Sequence, residues 1–178
     1  MWLDAGGNIG AFSVKYSDRV KEMHTFEPDK ENYALLVTNA KNNSARNVKT
    51  YNYALVENND ETRKFYLNKK QNKGAHSLYV KRGRDEVEVR CKNFDEMVEQ
   101  IQPNKMKMDV EGAEYDIMVG SKTLHYFNEI IFEYHRTALK DLDNKKFQQI
   151  KTKLQGLGFS VQHKEIKNDW HFMVHCRK

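Results

Sequence analysis

The residues best able to do chemistry in this chain stand where apolar runs stop. Asp4 follows Trp2-Leu3, Glu27 follows Lys21 to Phe26, and Ala54 lies near the end of Val48 to Leu55. Asp109 and Glu111 end the run from Lys105, and Glu133 and His135 end the run from Glu129. If the runs are parallel strands of an open α/β sheet, a ligand lies beyond their carboxyl ends, where these groups gather. Next to the first acid is a glycine turn, Asp4-Ala5-Gly6-Gly7-Asn8-Ile9-Gly10. Glycine tolerates positive φ and close backbone approach, and N–H groups at a helix start face whatever lies there.

The turn lacks the spacing Gly-x-Gly-x-x-Gly, because Asn8 occupies the second close-approach position. A pyrophosphate pressed on the backbone is therefore disfavoured. S-adenosylmethionine carries no phosphate, and its groups match the residues. Asp4 is suited to its ammonium, the turn's N–H groups to its carboxylate, and Glu27 to both ribose hydroxyls. Glu27 stands 21 positions after Gly6, a spacing that suits an acid at the end of a second strand. Gly6, Gly7, Asn8, Gly10, Pro28, Ala54 and Asp109 complete the expected cofactor set. For transfer of a methyl group to a hydroxyl, Asp109, Glu111 and His135 are the candidate bases. Glu114 and Glu133 are expected to line the acceptor side, with Glu111 and Glu114 reading equally as caps of the helix that follows. Asp109, Glu111 and Glu133 also resemble oxygen ligands for a divalent cation, but the expectation is that no metal is bound. Lys107, inside a central strand, reads equally well as a buried partner for a carboxylate.

These groups need elements to hold them. The first strand spans Met1 to Asp4, and a helix runs from Gly10 to about Arg19 burying Ile9, Phe12 and Tyr16. Lys21 to Phe26 is a strand stopped by Pro28. Asp29 caps a helix from Lys30 to Asn43 whose inner face is Tyr33, Leu36, Val37 and Ala40. Val48 to Leu55 is a third strand. The βαβαβ order predicts a parallel sheet. A β insert follows, with strands Arg63 to Leu67 and Val87 to Cys91. Residues 67–87 form a flexible basic segment that carries His76 and Ser77 as acceptor contacts. A helix from Asn93 to Ile101, a strand from Lys105 to Val110, a helix from Glu114 and a strand from Glu129 to Tyr134 restore the alternation. Leu139 to Gln155 is a helix with Phe147, Ile150 and Leu154 inward. Phe159 to Ile166 and Trp170 to Cys176 are joined by Lys167-Asn168-Asp169, a link that permits only antiparallel pairing. Trp170, Phe172 and Val174 alternate inward.

Four stretches carry a resemblance to a known family. They are Leu3 to Ser13, Phe26 to Tyr33, Lys107 to Glu114 with its Lys-x-Asp-x-Glu-Gly-x-Glu pattern, and Ile131 to His135. Together they resemble the FkbM-type methyltransferases. The resemblance implies an α/β fold of the Rossmann-like class I methyltransferase type, with a mostly parallel sheet, a C-terminal antiparallel hairpin and a β insert after the third strand. It implies S-adenosylmethionine as cofactor and O-methylation of a hydroxyl on a sugar or related metabolite. Gly7 stands where the family usually has Ala, and the segment usually found before the first strand is expected to be absent. A cofactor-binding module inactive for lack of that segment is therefore one alternative.

Bulk composition bounds the rest. The chain has 178 residues, 39% hydrophobic and 31% charged, which suits a single domain spanning residues 1–178. No run approaches the ~20 apolar residues of a membrane span, and no secretory signal is visible. Cys91 and Cys176 are distant from each other, as in a reduced cytoplasmic protein. The net charge of +5 favours an anionic acceptor, the resemblance implies a glycan or related hydroxyl, and an RNA- or cap-type acceptor on the same fold is the alternative. The oligomeric state is not legible.

Overall fold

The computed structural model describes residues 1–67, 85–136, 140–165 and 171–178. Its main sheet has seven strands: β1 (Trp2–Ala5), β2 (Met23–Phe26), β3 (Val48–Tyr51), β7 (Lys105–Met108), β8 (Glu129–His135), β9 (Ser160–Glu165) and β10 (His171–Arg177). They lie in the order β3-β2-β1-β7-β8-β10-β9. The pairs from β3 through β8 are parallel, and β10 runs antiparallel to both neighbours. Both the parallel alternation and the closing hairpin are as the order of apolar runs predicts. The turn between β9 and β10, and Trp170 with it, lies outside the described residues.

Alternation along the strands separates two faces. Leu3, Ala5, Met106, Met108, Ile130, Phe132, Phe172 and Val174 are buried on one face. Helix α5 (Lys140–Gly156) adds Phe147, Ile150 and Leu154 to that core, as expected. The other face carries Asp4 and Lys107, which are directly opposite each other in register. It is covered in part by α1 (Ala11–Tyr16) and α2 (Lys30–Asn42).

Three expectations about these elements need correcting. Ile9, ahead of α1, is exposed, and within that helix Ser13 is the buried residue. In α2, Val37 is exposed while Asn32, Leu36 and Ala40 are buried, so the inner stripe is rotated toward the strand ends. Asp29 does cap α2, its Oδ1 accepting from Asn32 N at 2.8 Å. The third apolar run does not form one strand. Asn52 Nδ2 donates to the carbonyls of Glu27 and Pro28 at 2.9 and 3.0 Å and turns the chain out of the sheet. Ala54–Val56 becomes β4, which pairs in a separate three-stranded sheet with β6 (Asp85–Asn93), itself paired with β5 (Thr62–Leu67). The basic segment beyond β5 lies outside the described residues. Helix α3 (Phe94–Ile101) and helix α4 (Glu114–Gly120) lead into and out of β7. Among the described residues no helix is long and apolar enough to cross a membrane.

Candidate active site

The glycine turn after β1 is shaped by the protein around it. Gly6 has φ +82°, and a Cβ there would stand 1.8 Å from the carbonyl oxygen of Asp109. A Cβ on Gly7 would meet Thr25 Cγ2 at 2.2 Å. Every N–H from Gly6 to Gly10 already has an acceptor. Gly6 and Gly7 donate to Phe26 O (3.0 and 2.9 Å), and Gly10 to Gly7 O (2.8 Å). Asn8 N donates to Glu27 Oε2 and Ile9 N to Asn8 Oδ1, both at 2.7 Å. These five N–H groups are thus satisfied within the protein.

Asp4 lies beneath the turn and is fully buried. Its Oδ2 accepts the Ser13 hydroxyl, which also bonds Thr25 Oγ1 at 2.6 Å. Its Oδ1 faces Lys107 Nζ at 3.3 Å. Lys107 Nζ also donates to Gly6 O at 2.7 Å, so one cation ties β7 to both β1 and its turn. Burial raises the Asp4 pKa, while Lys107 and Ser13 pull it down. Burial opposes charge on Lys107 too, but Asp4 and Asp109 more than compensate and raise its pKa. The reading of Lys107 as a buried partner for a carboxylate describes what is found.

Glu27 closes β2 at the bottom of a cleft. Its Oε1 accepts Asp29 N at 2.9 Å. Burial lifts its pKa to about 7 despite the two N–H bonds that favour its charge. Gly6, Asn8, Pro28, Ala54 and Asp109 line the same cleft, which holds about 550 Å³ of empty space, mouth included. Asp4, Gly7 and Gly10 lie behind its wall. Sequence reasoning did not single out Asn32, Tyr53, Leu55 and Phe65 for this cleft. Phe65 alternates in a strand and reads as ordinary core, and Tyr53 enters only because Asn52 turns the chain.

At the cleft's far end the turn between β7 and α4 meets β8 and β10. Glu111 lines the cleft and sits in the left-handed region, at φ +53°. Nε2 of His135 stands 3.5 Å from Glu111, 3.7 Å from Glu133 and 3.9 Å from Asp109. Burial raises the Glu111 pKa to about 7, with Asp109, Glu114 and Glu133 adding to the shift and His135 opposing it. Burial opposes charge on His135, but the Glu114 hydrogen bond and the surrounding acids raise its pKa to about 9. Glu114 itself is 1% exposed and turned away from the cleft, with His135 Nδ1 at 2.9 Å from its Oε1. His171, not singled out from sequence, lies opposite His135 in register and 3.3 Å from Glu133. The alternation of the last strand would have placed it there. Donor atoms of Asp109, Glu133 and His135 lie within 4.8 Å of one another, close enough to share a cation. His76 and Ser77 lie outside the described residues.

The fold matches that of solved methyltransferases. A methyltransferase FkbM from Methylobacillus flagellatus superposes with a TM-score of 0.63 at 18% identity, covering 98% of this chain and 42% of that one. Precorrin-6y C5,15-methyltransferase from Geobacter metallireducens gives 0.56 at 12% identity over 99% of this chain and 79% of its own. Fibrillarin from Aeropyrum pernix, solved with natively bound S-adenosyl-L-methionine, gives 0.57 at 10% identity over 98% and 65%. At these identities the likeness defines the class of fold, a Rossmann-like methyltransferase sheet. The model of the methyltransferase FkbM domain matches residues 4–161, and the chain belongs to that family. The comparison with curated proteins finds no match.

Proposed function

We propose that this chain transfers a methyl group from S-adenosylmethionine to a hydroxyl of a sugar or related small metabolite, with Glu111 as general base. The observation that carries the reading is that Glu27 and Glu111, two acids of raised pKa, line one cleft. The cofactor is S-adenosylmethionine, and the residues present fit it. Each Glu27 oxygen accepts one backbone N–H and retains a second lone pair for a ribose hydroxyl. Phe26, Leu55 and Phe65 give an apolar wall for a purine.

Bound cofactor supplies a methyl group on a sulfonium, a strong leaving group, so positioning accounts for much of the rate. The chain's own task is to orient the acceptor hydroxyl and take its proton. A carboxylate with a pKa near 7 suits that task at neutral pH. His135, protonated below about 9, does not serve as base and instead balances the acids around it. Asp109 and Glu133 complete an acidic rim that favours a neutral polyol over an anionic sugar or a nucleic acid. Cys91 and Cys176, both free and buried, fit a cytoplasmic protein.

Calorimetry with S-adenosylmethionine and with NAD tests the cofactor, and only the first is expected to bind. Glu27→Ala should weaken that binding about 10- to 100-fold, the loss of charge-assisted hydrogen bonds. Parent-like affinity would remove Glu27 from the ribose. Mass spectrometry of sugars, methyl glycosides and hydroxy acids incubated with methyl-labelled cofactor tests the acceptor class. Labelled amines with unlabelled hydroxyls would overturn O-transfer.

A further inference from the structure

One buried acid in the β7–α4 turn has no part in the proton transfer proposed above, yet it touches everything around the base. Glu114 Oε2 accepts Gly112 N at 2.9 Å, and Oε1 accepts Val110 N and Gly112 N, each at 3.2 Å. Val110 and Gly112 are the two neighbours of Glu111. Oε1 also lies 2.9 Å from His135 Nδ1, which leaves the other ring nitrogen facing Glu111, Glu133 and Asp109. An acid at the first position of a helix has an ordinary role, interaction with the helix dipole and capping of the turn. Here the bonded N–H groups belong to the residues on either side of a non-glycine residue at φ +53°. Such a conformation persists only where surrounding contacts over-determine it.

We propose that Glu114 is the positioning residue of this site. It clasps the backbone on both sides of Glu111, holds that residue left-handed, and fixes the His135 ring so that its other nitrogen faces the acids. Its consequence for turnover rests on the reading of Glu111 as base, whereas the clasp itself does not. A reacting group displaced by about 1 Å can lose about 100-fold in rate, so loss of the clasp should lower turnover about 10- to 100-fold.

The test is hydrogen exchange on the whole chain, parent against Glu114→Gln, together with cofactor affinity and turnover of whichever panel hydroxyl is methylated. The amides of Val110 and Gly112 should exchange at least about tenfold faster in the variant, with Met106 and Met108 in β7 unchanged. Affinity for S-adenosylmethionine should stay within about threefold while turnover falls about 10- to 100-fold. Glu114→Asp keeps the charge one methylene short and should recover part of the turnover. It also serves for the exchange measurement should Glu114→Gln not fold. Unchanged exchange at Gly112 overturns the clasp, and faster exchange with parent turnover overturns the positioning role. Full turnover in Glu111→Gln overturns the base alone, because the exchange result stands without it.

Discussion

Two turns stand side by side at the top of the sheet and are built on opposite principles. The turn after β1 and the turn after β7 follow adjacent parallel strands, and Gly6 packs directly on the Asp109 carbonyl. Both need positive φ, at Gly6, Asn8 and Gly10 in the first and at Glu111 and Gly112 in the second. In the first, charge is settled: Asp4 is buried against Lys107, and each N–H has an acceptor. In the second, Asp109, Glu111, Glu114 and Glu133 gather around His135, with His171 beyond Glu133. The first is a packing solution that fixes a cleft wall. The second keeps a cluster of acids at a cleft, where shifted pKa values mark reactive groups.

The sharpest way to break the contrast is to remove a charge from each turn. Glu111→Gln should lower turnover by about 10²–10⁴-fold, the usual contribution of a general base. It should also raise stability at pH 8. The Glu111 pKa is raised on folding to about 7, so its contribution is fully present below its unfolded value and is lost as pH rises through 7. An uncharged Gln escapes that loss, a gain of the order of 1–3 kcal/mol at pH 8 that vanishes near pH 4. Urea unfolding at the two pH values measures it, and a variant less stable at pH 8 would contradict the account. Lys107→Met does the reverse. It leaves Asp4 charged in a sealed site and should cost about 3–5 kcal/mol of stability. Adding Asp4→Asn should return much of that, and a double variant no better than Lys107→Met would show that the pair does not hold the turn.

The same contrast explains what could be read from sequence. The strand, turn and helix around Gly6 are local, so glycine spacing and apolar period reveal them. Glu27 is placed by counting, because a βαβ unit sets the distance between its strand ends. The closing hairpin follows from a link too short for anything else. The neutralisation of Asp4 is not local: Lys107 lies 103 positions away in the chain and meets it only through the β1–β7 register. Ser13 reads as a polar interruption of an apolar helix face until Asp4 and Thr25 are seen to bond it. The break at Asn52 depends on two carbonyls of another strand end. Glu114 is the plainest case. An acid after Gly112 suggests either an acceptor contact or a helix cap, and only its bonds to Val110, Gly112 and His135 turn it inward.

The smallest effect probes the one acid the first turn leaves unsettled. Glu27 is buried, and its pKa lies at about 7. Ionised, its two oxygens can accept both ribose hydroxyls, while the protonated form has a hydroxyl competing for the same space. Cofactor binding therefore favours the carboxylate and lowers its pKa. Below pH 7 binding should release up to about one proton, and affinity should rise about tenfold or less between pH 6 and pH 8 before levelling. Calorimetry at pH 6 in two buffers of different ionisation enthalpy counts that proton. In Glu27→Gln the release should disappear and the residual affinity should not vary over the same range. Proton uptake by the parent would mean that the neutral acid binds the ribose. That result would also separate this turn less cleanly from its neighbour, because both would then work by holding a proton.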